Sequence, residues 1–222
     1  RGLNPGTLEA FQIGYALPVC RFGGAERVTM NFGRESRRRG WVPHLFVIGD
    51  DSANLLSEFR DTFESITVVP PGQMCQPDRL LGLLGTMDVV VNNLSQQVNE
   101  VFSRLRQRGV KTLCHLHSVI TSSDHMPCGQ AYEMLGYEHS IDGVIVISQK
   151  LHRWCRAWGV PEDKLVQVPN GPSFSASDAL IKTVLEERGD RARERPLNVL
   201  YLGRFDLEKG MDRLLALCHR SK

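Results

Sequence analysis

The chain has 222 residues, of which 41% are hydrophobic and 23% charged, with 27 basic residues against 25 acidic ones. This is the composition of an ordinary globular protein, long enough for one large domain or one and a fraction. A formal charge of +2 gives no field that argues for nucleic acid, and no stretch approaches the ~18 consecutive apolar residues of a membrane span.

Arg1 to Ala10 has no apolar core of signal-peptide type, so no targeting segment is expected. Phe11 to Leu17 is apolar and stops at Pro18. Gly23-Gly24 then opens a helix with Val28, Phe32 and Ser36 on one face, closing in Arg37-Arg38-Arg39 and Gly40. Cations in a last turn and a glycine just past it are how helices end, and the other reading of Arg34, Arg37, Arg38 and Arg39 is peripheral contact with anionic lipid headgroups. His44 to Ile48 is expected as a strand, Leu55 to Phe59 as a short helix, and Ile66 to Val69 as a strand. A helix over Asp78 to Leu84 precedes the buried strand Asp88 to Asn92, which runs into a second asparagine, Asn93. Gln97 to Arg108 is amphipathic through Val98, Val101, Phe102 and Leu105. Lys111 to His117 and Asp142 to Ile147 read as strands around a helix over Ala131 to His139. A helix over Gln149 to Trp158 and a strand over Val166 to Val168 lead to Asn170-Gly171.

Strands rich in Val, Ile and Leu that alternate with helices predict an α/β fold with a doubly wound, Rossmann-like parallel sheet. Residues 1–172 form that domain. Residues 173–195, highly charged towards Arg195 and with a helical pattern through Leu180, Val184 and Leu185, read as a linker. Residues 196–222 open a second, incomplete α/β unit: the apolar strand Val199 to Leu202, a loop bracketed by Arg204 and Lys209, and a helix from Met211. Six scattered cysteines, at 20, 75, 114, 128, 155 and 218, form no CxxC pair, which favours reduced, buried thiols in a cytoplasmic compartment.

In open parallel sheets ligands collect beyond the carboxyl ends of the strands. The candidates there are Gly23, Gly24, Asn92, Asn93, His115 to Ser118, Ser148, Asn170, Gly171, Arg204 and Lys209. Arg204 offers a planar fork and Lys209 a point charge, a pair suited to a diphosphate; the plainer alternative is a solvated surface turn. Cys114-His115-Leu116-His117 invites a metal reading with Asp124, His125 and Cys128, but strand alternation sends Cys114 and His115 to opposite faces, and a histidine acting without metal is preferred. His117, nearer the strand end, is the candidate for direct substrate contact. GGxER lacks the dinucleotide GxGxxG spacing, and GxSxG, HExxH and P-loop motifs are absent, which disfavours nicotinamide enzymes and the common hydrolases and NTPases.

FGGAERVTMNFGRESRRRGWVPHLFVIG, the His117 strand, DGVIVISQKLHRW, WGVPEDKLVQVPNG and YLGRFDLEKGMDRLL together resemble the family 4 retaining glycosyltransferases of GT-B architecture. The likeness runs from about Gly14 to Leu215. It implies two Rossmann-like domains facing a cleft, with a saccharide or lipid-linked acceptor held by the first and a nucleotide-diphosphate sugar donor by the second. It implies Arg204, Lys209 and Gly24 at the donor phosphates, His117 on the transferred sugar, and Asn170-Gly171 just before the interdomain linker. Front-face transfer with retention needs no cofactor and no metal, because the two cations stabilise the leaving diphosphate. The family's paired glutamates would fall beyond Lys222, so the 222 residues are expected not to transfer sugar alone. Two alternatives are a GT-B-like binding or scaffold module without catalysis, and another GT-B-like enzyme such as a sugar-nucleotide epimerase.

Overall fold

A computed structural model describes residues 10–20, 23–49, 59–73, 76–93, 95–121, 126–171, 176–191, 200–203 and 210–220. The chain divides into two compact units, Arg1–Ser173 and Phe174–Lys222.

The first unit is built on seven parallel strands: β1 (Gln12–Leu17), β2 (Val42–Ile48), β3 (Ser65–Val69), β4 (Val89–Asn92), β5 (Lys111–Leu116), β8 (Gly143–Val146) and β9 (Leu165–Gln167). Their spatial order is β3-β2-β1-β4-β5-β8-β9. The order reverses beside β1, so a crevice opens between the carboxyl ends of β1 and β4, where the crossovers leave in opposite directions. The short strands β6 (Ile120–Thr121) and β7 (Pro127–Cys128) form an antiparallel ribbon outside this sheet. Sequence patterning did not foresee it, since two-residue strands carry no period.

Helices cover the two faces unequally. Helix α1 (Gly24–Arg38) packs on β1 and β2, where Met30 joins Tyr15, Leu17, Leu45 and Val47 in one buried cluster. Helices α2 (Pro77–Leu84), α3 (Gln96–Gln107), α4 (Gln130–Gly136) and α5 (Gln149–Ala157) supply the other cluster, with Leu81, Phe102, Met134 and Leu151 against Val90, Cys114 and Val146. The β-branched runs VVV and GVIV are strands because both of their faces meet apolar layers, leaving no polar stripe to favour a helix.

The arginines that end α1 are engaged within the fold. Glu35 takes Arg38 at 2.7 Å and Arg39 at 2.8 Å, Arg37 donates to the Thr62 carbonyl at 2.6 Å, and Gly40 reverses the chain at φ 78°. Hydrogen bonds from Arg38 and Arg39 hold the Glu35 carboxyl down at about 2. This arrangement fits the helix-end reading of the cluster.

In the second unit, residues 178–191 form helix α6 (Asp178–Arg191), where the sequence reading has a linker. Ser177 accepts from the Leu180 amide at 3.2 Å as its cap, and Ala, Leu, Lys and Glu are strong helix formers. Leu180, Ile181, Val184 and Leu185 are exposed on it. Helix α7 (Met211–Arg220) forms as expected. The expected strand is not seen over residues 200–202, where the backbone is irregular and Leu200 and Leu202 are 78% and 84% exposed. A helix satisfies its own backbone, whereas a strand exists only against a neighbour, and no strand of this unit is present among the described residues. Val199 and the expected short helix over 55–58 lie outside the described residues.

Candidate functional site at the carboxyl edge of the sheet

The loop after β1 delivers Gly23 and Gly24 to the amino end of α1. Gly23 has extended backbone (φ −149°) and caps the helix without a side chain. A Cβ there would press into the Glu26 carboxylate, whereas a Cβ on Gly24 would meet nothing within 4 Å. The space on the Cβ side of Gly24 is therefore open among the described residues. Because Gly24 holds no left-handed angle, Gly24→Ala should leave stability unchanged or raise it by up to about 1 kcal/mol. A thermal melt tests this, and a drop of more than 1 kcal/mol would mean that the fold itself uses the position.

Strand alternation separates the two asparagines after β4. Asn92 turns to the α3 face, fully buried, and donates to the Ser95 carbonyl at 2.7 Å and the Asn99 Oδ1 at 2.8 Å, while its own Oδ1 accepts from the Ser95 amide at 2.9 Å. Its hydrogen bonds are spent in joining β4 to α3, which removes it from the candidates for ligand contact. Asn93 turns to the α1 face. Its amide N–H donates to the Ala16 carbonyl at 2.8 Å, and its Oδ1 lies 3.4 Å from His117 Nε2.

On β5, Cys114 and Leu116 enter the α3 side of the core, and His115 and His117 share the opposite face, their ring centroids 4.1 Å apart. His115 is 1% exposed and stacks on Phe32 of α1 at 5.2 Å. Burial, and secondarily the neighbouring His117, pushes His115 down to about 3; burial alone pushes His117 down to about 4. Both rings are neutral at pH 7, hydrogen-bonding groups rather than charges.

His117 lines a cavity of ≈ 390 Å³ with Ser118, Val119, Ser148, Lys150, Leu151 and Trp154. Ser148 also caps α5, accepting from the Leu151 amide at 3.2 Å. Lys150 brings a cation to the wall, and Trp154, half-buried, is braced edge-on by Tyr132 at 5.2 Å. Sequence reasoning included Ser118 among the residues just past β5 but passed over Lys150 and Trp154. The signal was present for Lys150, which sits two residues past the cap at the carboxyl end of β8. Asn170 and Gly171 are exposed beyond edge strand β9 and do not line this cavity. Arg204 and Lys209 lie outside the described residues. A second cleft, ≈ 380 Å³, lies at the opposite, amino edge of the sheet. Its cations Arg106 and Lys111 share the single carboxylate of Asp142, at 3.3 and 3.7 Å.

Among the described residues no group of three or more His, Cys, Asp or Glu side chains could hold a metal ion, and no helix is long and apolar enough to cross a membrane. Asp124 and His125 lie outside the described residues.

The strand order and the helices on both faces define a Rossmann-like α/β domain. Its sequence matches the glycosyl transferase 4-like domain over residues 23–171, more than half of the chain, and the chain belongs to that family. No curated protein matches it significantly. Solved structures share the fold at low identity. Sucrose-phosphate synthase from Thermosynechococcus elongatus is 19% identical with a TM-score of 0.62, covering 93% of this chain and 59% of its own. Anabaena HepE in complex with UDP and glucose is 15% identical with a TM-score of 0.57, covering 81% of this chain and 50% of its own. HepE is also known in complex with UDP-glucose. The chain thus spans about half the length of such structures.

Proposed function

We propose that this chain is the acceptor-side part of a glycosyltransferase that moves a sugar, with retention, from a nucleotide-diphosphate sugar to a saccharide or lipid-linked saccharide. The observation that carries the reading is His117, a neutral imidazole on the wall of the ≈ 390 Å³ cavity at the carboxyl end of β5, inside the stretch that matches the family. A neutral ring can both donate to and accept from sugar hydroxyls, and the HepE complexes with UDP-glucose support the donor class. In this reading the open face of Gly24 admits the donor phosphates, and Arg204 and Lys209 stabilise the leaving diphosphate without a metal. Ser148 and Lys150 face the acceptor. Residues 173–195 connect to the donor half, and turnover needs that half complete. The reaction belongs on the cytoplasmic side, where the arginines ending α1 could meet a membrane carrying a lipid-linked acceptor.

Saturation-transfer NMR on the chain joined to a complete donor half tests the reading with UDP-glucose, UDP-N-acetylglucosamine and GDP-mannose. Sugar protons of at least one donor should receive saturation from the wild type and lose it in His117→Ala. Absence of transfer to all three, or transfer unchanged in His117→Ala, would overturn it.

A further inference from the structure

The carboxyl edge holds more unpaired hydrogen-bonding capacity than folding accounts for. Asn93 is fully buried, and its Nδ2 has no partner; His115 is 1% exposed, and neither ring nitrogen has one. The register that pairs Asn92 with Cys114 sets Asn93 beside His115, and strand alternation puts both on the face that carries His117. Each unpaired buried polar group costs about 1–3 kcal/mol, a cost that Leu and Phe at the same places would avoid. Unpaired buried groups of this kind call for a role outside folding.

Among the described residues, the side-chain polar contact these groups make is the 3.4 Å approach of Asn93 Oδ1 to His117 Nε2. It is long for a hydrogen bond, as contacts at unliganded sites often are before a ligand tightens them. The Asn93 main chain is anchored to β1 by its 2.8 Å bond to Ala16, so the amide is a fixed reference for a ring that lies just past the end of β5. A carbonyl oxygen facing Nε2 requires a proton on that nitrogen. Nδ1 is then left with its lone pair, an acceptor aimed by elimination at whatever else the ring meets.

We propose that Asn93 is a positioning residue that holds His117 in the Nε2–H tautomer, so that Nδ1 accepts a hydrogen bond from a sugar hydroxyl. The role rests on the sugar-binding reading above and deepens it by fixing the polarity of the contact: the ligand donates and the protein accepts. An analogue with that hydroxyl replaced by hydrogen or methoxy loses the contact, whereas one with fluorine, a weak acceptor, meets a lone pair.

The test is long-range proton–nitrogen correlation of the imidazoles in the ¹⁵N-histidine-labelled chain. In the wild type, His117 should show a protonated Nε2 and an unprotonated Nδ1 at pH 7. Asn93→Asp, whose carboxylate also accepts, should keep this pattern, while Asn93→Leu should give a mixture of tautomers. Finding Nδ1–H in the wild type, or an unchanged Nε2–H tautomer in Asn93→Leu, would overturn the proposal. Should Asn93→Leu fail to fold, Asn93→Ser, whose shorter hydroxyl falls short of the ring, takes its place with the same expectation. UDP-glucose is then added to the wild type and the same variants, each carrying a complete donor half. A shift at His117 Nδ1 in the wild type, with binding weakened about tenfold or more in Asn93→Leu and less in Asn93→Asp, supports the whole chain of argument, tenfold being about 1.4 kcal/mol. The expected tautomer in all variants with no response to any sugar nucleotide would sink the sugar reading and leave Asn93's hold on the ring standing.

Discussion

Urea unfolding of this chain is expected to show stability falling steeply between pH 6.5 and pH 4.5, a window in which ordinary carboxylates are still largely ionised. His115 and His117 are held at about 3 and about 4 by burial, and His44, caught between Ser65 and Gln12, is lowered as well. In the unfolded chain these imidazoles take up protons near pH 6.5. Between the two values the unfolded state therefore binds more protons than the folded one. The stability they confer is complete above pH 6.5 and drains as the pH falls towards the folded values. Each unit is worth about 1.4 kcal/mol per group, so by pH 4.5 His115 and His117 together remove on the order of 5 kcal/mol, comparable with the whole stability of many domains. Glu35, held at about 2, adds its loss only below its unfolded value of 4.5. His115→Phe separates the contributions. It keeps the stack on Phe32 and removes two unpaired nitrogens, so it should match or exceed the wild type at pH 7 and roughly halve the loss between pH 6.5 and pH 4.5. A wild type equally stable at pH 7 and pH 4.5 would show that both rings have protonated partners or free access to water in the folded state.

The same pair shows what the sequence could and could not disclose. The α/β pattern was legible because Val-rich runs and amphipathic helices each carry a period, and the parallel sheet follows from their alternation. Alternation along β5 also told Cys114 from His115 and placed His117 at the strand end. It could not tell that His115 would be sealed under Phe32, since that depends on how α1 crosses the sheet. Helix α6 was legible as a helical pattern through Leu180, Val184 and Leu185 but was read as part of a linker, in keeping with the exposure of those residues. The strand expected before Arg204 was read from an apolar run alone, and such a run becomes a strand only when another strand pairs with it. Lys150 reaches the cavity through the turn after β8, and turn geometry is where pattern reading carries least.

Asn92 and Asn93 make the sharpest case, because a list of strand-end polar residues treats them alike. Asn92→Ala is expected to destabilise the chain by about 3–5 kcal/mol. It would strand the Ser95 amide, the Ser95 carbonyl and the Asn99 Oδ1 in a region where Ser95 and Asn99 are fully buried, and each stranded group costs about 1–3 kcal/mol. Asn99 Nδ2 is already unpaired there, and Cys114 offers Asn99 only a 3.5 Å thiol contact, so little spare capacity exists to absorb the loss. Asn92→Asp should be at least as damaging. It keeps the acceptor for the Ser95 amide but sets a buried carboxylate against two other oxygens, and an uncompensated charge in such a place is worse than a gap. Asn93→Leu, one residue on, should fall within about 1 kcal/mol of the wild type, because the amide it removes has an unpaired Nδ2 and a single long contact. Urea or thermal denaturation of the three variants side by side decides the matter. A cost below 1 kcal/mol for Asn92→Ala would return Asn92 to the candidates for ligand contact, and a large cost for Asn93→Leu would mean that the edge facing His117 is held together by polar groups after all. The expected order, Asn92 variants far below Asn93→Leu, follows from one step of strand alternation: it sends one amide into the join between β4 and α3 and leaves the next beside the His117 ring.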